Sequence, residues 1–148
     1  MKRSETFHKL YYHFVWATKH RLPLLEEPVG EQVRAFIVAK SAELGYGLIA
    51  VNSVVDHVHL LMTLRPTIAV ADVAKMLKGS ASHYANHVLN ARDALYWQDG
   101  YGVLTLRESD LPSVIDYIRN QPAHHAHGRT ILELETLQRG PPDERAGD

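Results

Sequence analysis

Apolar residues occur along this chain in two patterns, as short aromatic or β-branched runs and as longer stretches with helical spacing. The short runs predict β-strands. The longer stretches predict helices whose ends are marked by capping residues, proline or glycine. In chain order the predicted elements are a strand at 9–18, a helix at 29–44 closed by Gly45, strands at 46–51 and 54–64 joined at Asn52-Ser53, a helix from the cap Thr67 to about His87, a strand at 101–106, and a helix capped by Ser109 or Asp110 that runs to about Ala123.

This β-α-β-β-α-β order with a further helix predicts the ferredoxin-like split βαβ fold of the α+β class. We expect a four-stranded antiparallel sheet with helices on one face, plus a C-terminal helix, so that the opposite face stays open for chemistry. Residues 131–138 predict a last short helix, and the polar, proline-containing residues 139–148 predict a disordered tail. The prediction is therefore one domain over 1–138.

Composition is consistent with a single soluble domain. The chain has 148 residues, of which 45% are hydrophobic and 22% charged, as in ordinary globular proteins. No apolar run approaches the length of about 20 residues that spans a bilayer, and the N-terminus lacks the apolar core of a signal peptide. The absence of cysteine excludes disulfides and thiolate metal sites. We therefore expect a cytoplasmic protein.

Charge is distributed unevenly although the formal net charge is only −1. Residues 1–25 carry five basic side chains against one acidic one, and residues 57–92 carry four against one. Residues 131–148 carry five acidic side chains against two basic ones. The two basic segments indicate a local surface that could meet nucleic acid. The alternative is a mixed, solvated surface without a partner.

The segment DHVHLLM places two histidines two residues apart on a predicted strand. Because side chains two apart point to the same face, His57 and His59 share one face, and Val58 and Leu60 face the core. Two imidazoles so spaced can direct ring nitrogens at one divalent ion. Asp56 is interpreted as a turn residue or a partner that orients a ligand. The alternative is a pair of half-exposed histidines without a ligand.

A third metal ligand would have to come from elsewhere in the sequence. The candidates are Gln121, His13 and one histidine of the cluster at 124, 125 and 127. Gln121 follows Tyr117 by four residues, so both lie on one side of a helix. A tyrosine can attack a phosphodiester and retain the bond energy in a phosphotyrosine link. Its high pKa makes it a weak nucleophile, which a metal ion would assist. Core packing of the tyrosine is the alternative.

Several of these segments occur together in one known family. The motifs HVHLL, WQDGYG and YIRNQ, with the opening LYYHFVWATKHRLPLL and the middle segment LKGSASHYANH, resemble the single-tyrosine HUH (His-hydrophobic-His) transposases of small bacterial insertion sequences. The resemblance extends to about His125. Beyond that residue the family's tail is usually longer and more aromatic than PPDERAGD, which puts control of the tyrosine helix in doubt.

The resemblance implies a ferredoxin-like catalytic domain and a specific set of site residues. His57, His59 and Gln121 match the ligands of Mg²⁺ or Mn²⁺, and Tyr117 matches the nucleophile. The family acts as a homodimer in which the tyrosine helix of one subunit can complete the site of the other. It cleaves single-stranded DNA at element ends beside DNA hairpins, leaves a 5′-phosphotyrosine and a 3′-OH, and then joins new ends. The expected function is therefore a metal-dependent transposase.

DNA contacts are expected from the second predicted helix and the basic N-terminal segment. A polar and basic side there could hold the DNA backbone, and the alternative is a solvated helix face. The residues are Lys75, Lys78, Ser82 and Asn86, together with Arg21.

Three other functions remain open at this point. The first is a domesticated relative that acts on repeated chromosomal hairpins and is not mobile. The second is a DNA-binding module that has lost catalysis. The third is a metallo-phosphoesterase that uses the two histidines with an activated water.

Overall fold

Four strands form one antiparallel sheet in the computed structural model, which describes residues 6–121. Their order in the sheet is β2-β3-β1-β4. Short 3₁₀ turns at 19–21 and 108–110 precede α1 and α3. No helix within residues 6–121 combines the length and apolarity needed to cross a bilayer. The elements are β1 (Tyr11–Ala17), α1 (Val29–Leu44), β2 (Gly47–Ser53), β3 (His57–Thr63), α2 (Val70–His87), β4 (Gly102–Leu106) and α3 (Leu111–Arg119).

The main core lies between one face of the sheet and the helices α1 and α2. On β1 and β3 every second residue points to this face, and each helix contributes an apolar stripe. These side chains exclude water and supply most of the hydrophobic stabilisation. The fully buried members include Phe14, Trp16, Leu60, Met62, Ile37, Val73 and Leu77. The predicted α+β ferredoxin-like fold is confirmed.

The second face of the sheet is covered by α3, so the prediction of an open face is wrong. Val114 and Ile118 are four residues apart on α3 and pack against Ala50 and Leu61 in a second apolar cluster. The helix has a marked apolar side, and such a side must be buried against another element. The histidines of β3 consequently lie beneath a helix and are not exposed to solvent.

Two predicted boundaries move in the structure. Asn52 and Ser53 are the last residues of β2, and the connection to β3 is 54–56. It is closed by the N–H of Val54, which donates to the carbonyl of His57 at 3.1 Å. Thr67 does not cap α2. The helix begins at Val70, and its N-cap residue is Ala69.

α3 ends at Arg119, before the predicted end near Ala123, and the other helix ends are close to prediction. α1 spans the predicted residues and ends at Gly45, whose φ of 74° is the left-handed conformation that glycine adopts without strain. Asp110 precedes α3 as expected, but its carboxylate accepts from the backbone N–H of Arg107 and not from the helix. The predicted helix at 131–138, the tail at 139–148 and the domain end at 138 lie outside the described residues.

Two glycines provide a matched test of how tightly the elements pack. A Cβ on Gly47 would lie 2.6 Å from Thr63 Cγ2 and 2.9 Å from the carbonyl oxygen of Thr63, whereas a Cβ on Gly79 would meet nothing within 4 Å. Gly79→Ala is therefore expected to raise the free energy of unfolding by about 0.5–1 kcal/mol, since alanine is the better helix former. Gly47→Ala is expected to lower it by about 1–3 kcal/mol through overpacking. Urea unfolding of both variants checks this, and changes of the same sign would contradict it.

Candidate active site

The two histidines of the HVH motif lie side by side on the covered face of β3. Their ring centroids are 5.0 Å apart, and each side chain is at most 1% exposed. In the register of the sheet, His57 pairs with Ala17 and His59 with Val15 of β1. The shared face that the two-residue period predicted is therefore present, but it forms a buried polar site under α3.

Each of the two imidazoles has its Nδ1 atom next to a polar partner. His57 Nδ1 lies 2.8 Å from Asp56 Oδ1. His59 Nδ1 lies 2.9 Å from Nε2 of His13, a buried residue of β1. Asp56 thus occupies the orienting position that the sequence indicated. The place of His13 was not predicted in this form, although the shared face of β1 and β3 was the signal that could have shown it.

The turn that carries Asp56 is fixed to the end of β1. The backbone N–H of the buried Thr18 donates to the carbonyl of Asp56 at 2.9 Å. On the outer side, Arg21 Nε lies 3.4 Å from Asp56 Oδ2. Arg21 was expected to contact DNA, and in this structure its guanidinium instead pairs with a residue of the site.

Helix α3 brings the tyrosine to the histidines. The Tyr117 ring is 3% exposed and stands nearly perpendicular to the ring of His59, at 80° and 6.1 Å between centroids. Gln121 follows one turn later and is fully buried, with Nε2 3.4 Å from the carbonyl of Tyr117. The predicted i, i+4 relation is therefore present at the end of α3.

The C-terminal end of α3 is held on the sheet by a residue that the sequence analysis did not single out. Asn52 pairs with His59 across β2 and β3, and its Nδ2 donates to the carbonyl of Arg119 at 3.0 Å. This bond satisfies one of the carbonyls that a helix end leaves without an internal donor. It ties the helix segment between Tyr117 and Gln121 to the strand next to His59.

His57 and His59 would need at least one further ligand to hold a divalent ion. Within residues 6–121, no group of three or more His, Cys, Asp or Glu side chains is placed to hold a metal ion. The Nε2 atom of His13 faces His59, which does not favour His13 as the third ligand. The histidines at 124, 125 and 127 lie outside the described residues. The two imidazoles together with an amide oxygen, such as that of Gln121, would form a nitrogen and oxygen set compatible with Mn²⁺ or Mg²⁺.

The four candidate DNA-binding residues of α2 have different surroundings. Lys78 Nζ donates to the carbonyls of Gln98 and Gly100, both at 2.9 Å, and burial lowers the pKa of this ammonium. The Asn86 amide donates to the carbonyl of Leu95 and accepts from its N–H.

Lys75 and Ser82 lack such contacts with the 95–100 backbone. Ser82 Oγ donates to the carbonyl of Gly79 and lines a surface cavity with Lys19 and Tyr96. Lys75 is exposed. The four α2 residues therefore do not form one uniform basic face.

Comparison with known proteins gives consistent matches over the described part of the chain. The family model described as "Transposase IS200 like" matches residues 6–121. The ISDra2 transposase TnpA of Deinococcus radiodurans is 29% identical over 127 residues, which cover 82% of this chain and 91% of that protein.

Two solved structures share the fold with a TM-score of 0.61 each. One is a Deinococcus radiodurans R1 protein assigned as a transposase, 27% identical, with 82% of this chain and 98% of that chain covered. The other is a REP-associated tyrosine transposase bound to a REP hairpin, with 88% and 76% covered. At 17% identity, this second likeness concerns the fold alone.

Proposed function

Because the chain belongs to the family of IS200-like transposases, we propose that it cleaves and rejoins single-stranded DNA at insertion-sequence ends through a covalent bond to Tyr117. The observation that supports this most directly is the packing of the Tyr117 ring against His59, with the buried Gln121 just beyond the end of the helix that carries Tyr117. The position of Tyr117 next to His59 supports a nucleophilic role for the tyrosine, which a simple hydrolase would not require.

Tyr117 carries the proposed covalent step. Its Oη attacks the scissile phosphorus, the Oη–P bond forms, and the bond from phosphorus to the 3′ oxygen breaks. The phenol loses its proton, and the departing 3′ oxygen gains one to become a 3′-OH. Attack of a 3′-OH on the phosphotyrosine reverses the step and joins a new end. The phosphotyrosine conserves the energy of the phosphodiester, so no nucleotide hydrolysis is required.

His57, His59 and Gln121 would hold Mg²⁺ or Mn²⁺ in this proposal. When bound, the ion would polarise the scissile phosphate and stabilise the charge that develops on it. The buried position of both imidazoles and of Gln121 excludes competing water and limits their rotamers. These residues are therefore suited to hold a ligand set in one geometry.

DNA hairpins at the element ends are the proposed partners, and the proposed assembly is a homodimer. Lys75 and Ser82 lie on the outside of α2, where they could contact phosphates. Lys78 and Asn86 would contribute by holding the 95–100 segment in place through the contacts to its backbone. Arg21 would contribute to DNA binding from its position next to Asp56.

The test is an adduct assay with purified protein and a labelled single-stranded oligonucleotide that carries an element end and its hairpin. We expect a covalent protein–DNA product with Mg²⁺ or Mn²⁺ and its loss, to background, when EDTA removes the ion. The control is the same end annealed into a full duplex. Metal-dependent cleavage without an adduct would indicate a phosphoesterase that uses activated water. Hairpin binding without cleavage would indicate a DNA-binding module.

A further inference from the structure

We infer that His13 and Asp56 are a pair of positioning residues, each of which fixes the tautomer and orientation of one imidazole of the HVH motif. The inference rests on the proposed function, since it concerns how the same site presents its metal ligands. His59 is oriented by His13 and His57 by Asp56. Because each partner engages Nδ1, metal ligation by either ring would have to use Nε2.

The contact between His13 and His59 follows from the register of the sheet. His13 pairs with Leu61 and Val15 with His59, so His13 and His59 are diagonal neighbours on one face, within reach of each other. Their ring planes are 24° apart and their centroids 5.1 Å apart. A ring nitrogen lies on the rim of its ring, so nitrogens 2.9 Å apart must point toward each other. This geometry is a hydrogen bond between ring edges.

The contact between Asp56 and His57 selects one tautomer by itself. An ionised carboxylate only accepts hydrogen bonds, so at 2.8 Å from Asp56 Oδ1 the proton of a neutral His57 belongs on Nδ1. On its other side the carboxylate is held by Arg21, whose Nε lies 3.4 Å from Oδ2. The backbone bond from Thr18 to Asp56 keeps the carboxylate at this place.

For His59, the Nδ1–H tautomer requires that His13 Nε2 accept the hydrogen bond from His59 Nδ1. A neutral His59 that ligates through Nε2 carries its proton on Nδ1, and His13 Nε2 must then be the acceptor, with the His13 proton on Nδ1. His13 is 1% exposed and sits on the central part of β1, so its ring has little freedom to turn away. Metal-ligating histidines are generally oriented in this way by a second polar group.

The first test measures tautomers in the metal-free wild-type protein at neutral pH by ¹⁵N–¹H NMR of the imidazole nitrogens. We expect Nδ1–H tautomers for His57 and His59. Nε2–H tautomers at either ring would overturn the inference, whatever the DNA assay shows. Because no variant is involved, this result does not depend on whether a substituted protein folds.

The second test compares Mn²⁺ affinity in variants whose folding is checked by circular dichroism. His13→Phe keeps ring volume but removes the acceptor, and His13→Gln keeps a side-chain carbonyl that can accept. We expect Mn²⁺ binding to weaken about 10- to 100-fold in His13→Phe, as is usual when the orienting partner of a ligand is lost. We expect His13→Gln to retain most of the wild-type affinity for Mn²⁺. The corresponding pair at His57 is Asp56→Ala, which removes the acceptor, and Asp56→Asn, which keeps a side-chain carbonyl. We expect Mn²⁺ binding to weaken in Asp56→Ala and to recover in Asp56→Asn.

Pulsed EPR of bound Mn²⁺ separates positioning from ligation by counting coupled imidazoles. Two are expected in the wild type, and a count that falls by one in His13→Phe would make His13 a ligand and overturn its positioning role. Equal Mn²⁺ affinity in wild type and His13→Phe would overturn it as well. Wild-type protein with Nδ1–H tautomers and tight Mn²⁺ binding but no DNA adduct would contradict the proposed function and still support this inference.

Discussion

Tyr117→Phe is expected to abolish the covalent protein–DNA adduct, with a fall in its rate of formation of more than about 10⁴-fold, the scale seen when enzymes lose a covalent nucleophile. The substitution removes only the hydroxyl. The ring stays 3% exposed against His59, so the packing of α3 and the sheet should be unchanged. The measurement is the amount of labelled DNA that remains attached to protein after denaturation, in the presence of Mn²⁺.

Tyr84→Phe is the matched control for this prediction. Tyr84 lies on α2, where its ring stacks on Phe36 of α1 with centroids 4.5 Å apart, outside the HVH site. Its loss of a hydroxyl should leave adduct formation at the wild-type level. An adduct that persists in Tyr117→Phe would show that another residue is the nucleophile. An adduct lost equally in both variants would point to a general effect of tyrosine removal.

The double variant His57→Ala/His59→Ala is expected to lose Mn²⁺ binding at the site and to reduce adduct formation by more than about 10³-fold. Two of the three proposed ligands disappear, and removing a residue from a catalytic unit costs this order of magnitude or more. Calorimetric titration with Mn²⁺ and the adduct assay provide the two measurements. Binding of the hairpin should persist, because no DNA contact is assigned to these buried side chains.

A second histidine pair in the chain offers the control. His83 and His87 lie four residues apart on α2 with ring centroids at 4.6 Å, and both are exposed. The variant His83→Ala/His87→Ala removes two imidazoles of similar spacing at another place. It should retain the adduct and any Mn²⁺ bound at the HVH site. Adduct formation by His57→Ala/His59→Ala at the wild-type level would refute the proposed ligand set.

Secondary structure was predictable here wherever one period continued without interruption. The helix at 29–44 and its terminal Gly45 were predicted at their observed positions because the glycine conformation is a local property. The hairpin turn was misplaced by two residues, since Asn52-Ser53 has turn composition but the strand ladder continues through both residues. Pairing with the adjacent strand β3 decided against the turn preference of these two residues. The site roles of Tyr117 and Gln121 stay predictions, as do those of the DNA-contacting residues.

Charge in the sequence does not show whether a basic side chain is already engaged within the protein. Lys78 and Arg21 were both expected to meet phosphate. In the structure the ammonium of Lys78 binds backbone carbonyls of the 95–100 segment, and the guanidinium of Arg21 pairs with Asp56. The sequence shows that a residue is basic. Whether its charge is available depends on which carbonyls and carboxylates the fold brings within hydrogen-bonding distance.

The sequence by itself determined the order of the elements, the shared strand face of His57 and His59, and the helical relation of Tyr117 to Gln121. These features depend on the two-residue and 3.6-residue periods, which are properties of the local backbone. Only the tertiary structure decided that α3 covers the histidine face, that His13 meets His59, and that Asn52 holds the end of α3. The contacts of His13 with His59 and of Asn52 with the end of α3 join residues 46 and 67 positions apart. They arise from strand register and from burial of the apolar side of α3, which no local pattern specifies.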